Sequence, residues 1–306
     1  MSLVSDEDES LEEMDPAELI EQAEAAKEAG DKATAAKLYN SAGNIYMSVA
    51  EYAEALACFE KSLTLYTDIK DETGTSDTLY NLGVAQINLE RWEEAVKTCQ
   101  TAMQMFEKLS NNDGAADAMY GLALAYLGMQ DFEKAMDYFN KAQKAYKVLG
   151  NDQGVASTIM DIGNAYSDKE DWDTAELSFK KALKIYRDLD DKAGIADALS
   201  LLGDISEMRK NERKSAEYFI EAAQCYLDAE IFDIAREVVE RAEQKLWDVP
   251  KATRRRLRKM VDDLKDALPE EEAEEAGEEL GDEDIDEDML DADLEGRESD
   301  DSDLDE

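Results

Sequence analysis

The sequence predicts an all-α protein, a solenoid of stacked helical hairpins followed by a disordered acidic tail. Three observations predict it. Small and aromatic residues return at an offset of 40 positions. Between those markers the apolar residues keep the spacing of one helix face, as in Ile159, Ile162, Ala165 and Tyr166, then Ala175, Phe179, Ala182 and Tyr186. Proline stands only at positions 16, 250 and 269, so no proline interrupts the repeating region.

Residues 1–14 are acidic and are predicted to be disordered. Asp15 and Pro16 pair an N-cap with a first-turn proline and open the first helix. The stretch GDKATAAKLYNSA sets Ala35, Tyr39 and Ala42 at the spacing of a capping half-repeat. Five full units follow, near 35–74, 75–114, 115–154, 155–194 and 195–229.

One column of the repeat reads Gly43, Gly83, Ala123, Gly163 and Gly203, and the next Tyr52, Trp92, Phe132 and Trp172. Then come Ala55, Ala95, Ala135, Ala175 and Ser215, followed by Phe59, Cys99, Phe139, Phe179 and Phe219. Two further columns are Ser62, Ala102, Ala142, Ala182, Ala222 and Tyr66, Phe106, Tyr146, Tyr186, Tyr226. The small residues let helix backbones approach, and Ala123 at the equivalent place predicts that Gly163→Ala is nearly silent and Gly163→Leu destabilising. In the fourth unit the first helix is predicted over about 155–168 and the second over about 172–189, longer by a turn or more. Gly74, Gly114, Gly154 and Gly194 are read as ending the first four units.

After the units, EIFDIAREVVERA places Phe232, Ala235, Val239 and Ala242 at half-repeat spacing, so the solenoid is expected to span 15–249. Pro250 opens a basic helix over 250–268 and Pro269 stops it. From there to Glu306 the chain carries 22 acidic residues against the single basic Arg297, too little apolar content for its charge, and disorder is predicted.

Charge and composition narrow the function. The formal net charge is −43. Such a surface repels nucleic-acid backbones and anionic membranes and attracts basic proteins, so neither nucleic acid nor membrane is an expected partner. The start MSLVSDEDES lacks the basic and apolar regions of a signal peptide, and an intracellular, cytoplasmic location follows. Cys58, Cys99 and Cys225 form no CxxC pair and describe no disulfide framework. With no histidine in the chain, Ser-His-Asp, Cys-His and His-containing zinc sites are excluded. Carboxylate pairs occur all along the helices and single out no acid–base site, so no enzymatic activity, cofactor or metal is expected.

The columns L-x-x-L/I-G-x-A-Y and W/F/Y-x-x-A-x-x-x-F-x-x-A resemble tetratricopeptide repeats over about residues 32–229. The 40-residue period and phrases such as LYNLGVA, MDIGNAY and LGDI are similar to the longer LGN-type repeats, although the usual proline at the end of each unit is missing. The resemblance implies a right-handed superhelix whose opening helices line a concave, protein-binding groove. Carried over column by column, the groove residues are Lys37, Asn40, Asn44, Asp77, Tyr80, Val84, Asp117, Tyr120, Leu124, Ser157, Met160, Asn164, Asp197, Ser200 and Asp204. They describe an amphipathic trough with an acidic rim.

Family members that clamp the acidic C-termini of chaperones resemble one another in a set of Lys, Asn and Arg residues. The matching positions here are Asn40, Asn44, Asn81, Asp117 and Gly121, without the cations, so that ligand is not expected. The cluster KATRRRLRKM, including Arg254, Arg255, Arg256, Arg258 and Lys259, is expected to meet the acidic tail transiently. The expected function is a monomeric scaffold or adaptor that holds a basic or amphipathic segment of another protein in the groove. The competing expectation is an electrostatic chaperone whose acidic tail shields basic clients.

Overall fold

The computed structural model describes residues 14–269, so the expectations for 1–13, for the acidic tail and for its meeting with the arginine cluster lie outside the described residues. Among the described residues there are thirteen α-helices, one 3-10 turn and no strand. They are α1 (Pro16–Glu28), α2 (Lys32–Ser48), α3 (Tyr52–Ile69), α4 (Glu72–Asn88), α5 (Trp92–Leu109), α6 (Asn112–Gly128) and α7 (Phe132–Leu149). Then come α8 (Asp152–Asp168), α9 (Trp172–Leu189), α10 (Lys192–Met208), α11 (Glu212–Asp228), α12 (Phe232–Lys245) and α13 (Lys251–Ala267), with the 3-10 turn Leu246–Asp248 before the last. Each helix packs against the next, α4 also touches α6, and α13 closes the array against α11 and α12.

One turn chemistry repeats throughout. Each helix from α1 to α11 ends in a residue of positive φ, and these stand 20 positions apart, from Gly30 and Ala50 to Lys210 and Glu230. At Ala50 its N–H bonds the Met47 carbonyl and the Glu51 N–H bonds the Tyr46 carbonyl, the double bond of a Schellman cap. The residue that completes this cap also opens the next helix. Asp31, Asp71, Asn111, Asp131, Asn151, Asp171, Asp191 and Asn211 each accept a backbone N–H three residues on. No residue is left over to wander between helices, so the angle between neighbours is set twice per unit.

These caps correct the expected boundaries. The hairpins begin at the N-caps, so α8 starts at Asp152 instead of 155, and the two helices of that unit have 17 and 18 residues, nearly equal in length. Gly74, Gly114, Gly154 and Gly194 do not end units; each lies in the first turn of an opening helix. A Cβ there would fall 2.4–2.7 Å from the ring of Tyr66, Phe106, Tyr146 or Tyr186 on the preceding helix. Both segments read as capping half-repeats, α2 and α12, stand at the 40-residue register of opening helices.

The core follows the columns. Phe59, Phe139, Phe179 and Phe219 are fully buried, as are the alanines at 55, 95, 135 and 175, one helical turn before that column. Gly43, Gly163 and Gly203 lie so close to these rings that an added Cβ would sit 2.4–2.5 Å from a ring carbon. The expectation that alanine at position 163 is nearly silent is therefore corrected: Ala123 packs in its own cluster with Ala135 and Phe139, while the unit around Gly163 has closed down to the width of a glycine. In the second unit Cys99 replaces the phenylalanine, and its sulfur meets Gly83. Burial pushes the Cys99 thiol up to about 12, which makes it a small apolar filler and not a nucleophile.

Candidate functional site

The opening helices α2, α4, α6, α8 and α10 form one face, and the structure divides the expected groove residues into three neighbourhoods. At its first end Asn81 Nδ2 donates to Asn40 Oδ1 at 3.3 Å and to Asn44 Oδ1 at 3.2 Å. Thr78 Oγ1 donates to Asn40 Oδ1 at 3.4 Å, so these amides are tied to one another. Lys37 stands half-buried on the same helix and is itself engaged.

The second neighbourhood is a cavity of about 660 Å³ between the second and third hairpins. Asp77, Tyr80, Asn81, Phe106, Asp113 and Asp117 line it. Partial desolvation holds the carboxyl of Asp77, an exposed residue, above the usual range, with Asp71 adding to the effect. Burial raises Asp117 too, and Asp113 adds to it, against the Tyr146 hydroxyl that donates to Asp117 Oδ1 at 2.7 Å. Val84 lies half-buried one turn further along α4.

The third is a cavity of about 430 Å³ between the third and fifth hairpins, where Tyr120, Ser157, Met160, Asn164, Asp197 and Ser200 meet. The Tyr120 hydroxyl donates to Asp161, and Asn164 Nδ2 donates to the same carboxylate at 3.4 Å. Burial is the larger influence on Asp161 and raises its carboxyl. The Tyr226 hydroxyl donates to Asp197 at 2.5 Å, and Tyr186 and Ser157 oxygens stand 3.4 Å apart.

Several expected groove groups are less free than their positions suggest. Met160 is buried in the main core, and Leu124 leans on the cluster around Ala123, Ala135 and Phe139. The Tyr120 ring packs edge-on against Phe139 at 6.1 Å. Asp204 is paired with Arg241 of α12, whose guanidinium also lies 4.2 Å over the Phe219 ring. Asp204 is thus a structural ion pair and not an open rim charge.

Sequence reasoning missed the closing-helix tyrosines. Tyr146, Tyr186 and Tyr226 belong to a column read as packing alone, yet their hydroxyls reach the groove face and bond residues 29 positions earlier. The signal was the choice of tyrosine over phenylalanine, since a buried phenol needs a polar partner. Asp161 was missed because its column is otherwise Ser41, Asn81, Gly121 and Leu201, without a common chemistry.

Among the described residues no group of carboxylates and thiols has the arrangement of a metal site, and no helix is long and apolar enough to cross a membrane. Comparison with curated proteins finds no match. Similar solved structures include BtubC from P. vanneervenii, 17% identical with a TM-score of 0.58 over 70% of this chain and 89% of that one. A signal transduction ATPase with a tetratricopeptide repeat sensor, from Pyrococcus horikoshii, is 16% identical with a TM-score of 0.59, over 83% of this chain and 44% of its own. The Rap conjugation gene regulator of plasmid pLS20, in complex with the Phr* peptide, is 14% identical with a TM-score of 0.52, over 79% and 77%. At these identities the likeness is one of fold. Family models described as tetratricopeptide repeat match residues 36–68, 75–147 and 155–189. Its hairpins and its sequence columns agree with those matches, and the chain carries tetratricopeptide repeats over these residues.

Proposed function

We propose that the protein is an interaction scaffold that holds a basic or amphipathic segment of another protein along the face of its opening helices. The observation that carries this reading is the row of carboxylates and phenols on that face: Asp77, Tyr80, Asp117, Tyr120, Asp161 and Asp197 line its two cavities. Rim carboxylates steer a basic segment in, and aromatic rings beside them hold its apolar residues. The Rap regulator of plasmid pLS20, which shares the fold, was solved with a peptide, and this is consistent with the reading. A binding role is favoured over catalysis because Asp117, Asp161 and Asp197 already accept tyrosine hydroxyls, the arrangement of a rigid surface.

The test is kinetic. A partner captured with the full chain is measured against Asp77→Lys and Tyr80→Ala by surface binding. Asp77→Lys is expected to slow association in a salt-dependent way, and Tyr80→Ala to speed dissociation and cost about 2 kcal/mol. Wild-type rates for both variants, with loss of binding on a variant of the opposite face, would place the interaction elsewhere. The second reading, a chaperone for basic clients, is favoured by the 22 acidic residues from Pro269 onward. Deleting 269–306 separates the two: a scaffold keeps its partner, whereas a shielding protein loses its client.

A further inference from the structure

We infer that the cavity between the second and third hairpins is a subsite for one cationic side chain, a lysine or arginine of the bound segment. This inference rests on the groove reading above and adds where along the groove the anchor sits.

Two tyrosine–aspartate bonds made elsewhere in the repeat are missing in the second unit. In the third unit the Tyr120 hydroxyl donates to Asp161, 41 positions on. The equivalent of Tyr120 in the second unit is Tyr80, and 41 positions on from it stands Gly121, which offers no acceptor. Further along, Tyr146 and Tyr226 donate to Asp117 and Asp197, 29 positions back. The equivalent of Tyr146 in the second unit is Phe106, and 29 positions back from it stands Asp77, to which phenylalanine offers no donor. One substitution has removed an acceptor and the other a donor.

The two groups left behind face the same space. Residues Tyr80 and Asp77 both line the cavity of about 660 Å³, Tyr80 half-buried and Asp77 exposed, and neither has a hydrogen-bond or ion-pair partner among the described residues. Asp113, Asp117 and Asn81 complete its polar wall, and the Phe106 ring lies between them. Among the described residues no lysine or arginine lines it.

The chemistry of these walls selects the ligand. An ammonium or guanidinium has only donors, which Asp77, Asp117 and the Tyr80 oxygen can accept. The Tyr80 and Phe106 rings suit the alkyl stem of such a side chain, and a ring face attracts the cation. A phosphate or carboxylate would meet three carboxylates and no cation. A purely apolar side chain would desolvate carboxylates without bonding them.

The experiment uses N-acetyl-lysine N-methylamide, its arginine counterpart and the uncharged norleucine analogue, added to the full chain and followed by NMR. The two cationic probes are expected to shift the Tyr80 ring signals and the amides around Phe106, and norleucine to leave them in place. Phe106→Tyr restores the hydroxyl that Tyr146 and Tyr226 already carry in their units, so it fits the fold. It is expected to weaken cationic-probe binding at least fivefold, as is Asp77→Asn, while Tyr186→Phe in the neighbouring cavity changes nothing. Equal shifts from norleucine, or wild-type binding by both Phe106→Tyr and Asp77→Asn at unchanged melting temperature, would overturn the inference. A longer basic amphipathic peptide separates it from the groove reading. Equal binding of that peptide along the groove of wild type and Phe106→Tyr sinks the subsite alone, whereas binding on the opposite face sinks the groove.

Discussion

The Tyr146 hydroxyl reaches back from the closing helix of the third unit and donates to Asp117 on its opening helix, 2.7 Å away. The bond crosses a hairpin and satisfies a carboxylate that burial would otherwise leave exposed to its own repulsions. Tyr146→Phe is expected to cost about 1–2 kcal/mol in urea unfolding. Tyr186→Phe, whose partner Ser157 stands 3.4 Å away, should cost less. Equal costs would show that the ring, and not the hydroxyl, is what both residues contribute.

The glycine column sets a second expectation. A Cβ on Gly163 would lie 2.4 Å from Phe179, a ring with no exposed surface and no room to retreat. Gly163→Ala is therefore expected to destabilise by about 1–3 kcal/mol and Gly163→Leu by more, read from thermal melts. A silent alanine would mean that the hairpin can open to the width already present around Ala123.

The caps give a stabilising change. Ala50 holds a φ of 60° at the end of α2, a conformation in which its Cβ crowds the following carbonyl. Ala50→Gly removes that clash and should add about 1 kcal/mol, raising the melting temperature by a few degrees. Gly150→Ala at the equivalent turn, with a φ of 70°, should lower it by a similar amount.

Acidity should move stability in a defined direction. Burial raises the carboxyls of Asp77, Asp117, Asp161 and Asp204 in the folded protein. Groups raised in this way bind protons more readily when folded. Their contribution is complete below the unfolded value of about 4 and is lost as pH climbs through the folded values. Glu24 acts oppositely: the Tyr39 hydroxyl first, then Lys27 and Lys61, pull it down to about 2, so its contribution is lost as pH falls below about 4.5. Melting temperature is expected to rise from pH 7.5 toward about 5 and to fall again below 4. Asp161→Asn should flatten the upper slope, because Asn can still accept from Tyr120 without carrying charge.

The sequence by itself determined the helical class, the 40-residue unit and the columns that became the core. Each of these depends on residues within one helix or at one repeated position, and periodicity encodes both. It also placed Asp77, Tyr80 and Asp117 on one face, since residues at equivalent positions of stacked hairpins must line up. The tertiary structure decided what those residues can do. Whether Tyr80 keeps a free hydroxyl depends on Gly121, and whether Asp77 lacks a donor depends on Phe106, residues 41 and 29 positions away. Met160 went to the core and Asp204 to Arg241 for the same kind of reason. Contacts across 29 to 41 positions follow from the angle between packed helices. That angle is set by the turn between the helices and by how closely their packed faces approach, and no hydrophobic period carries that distance.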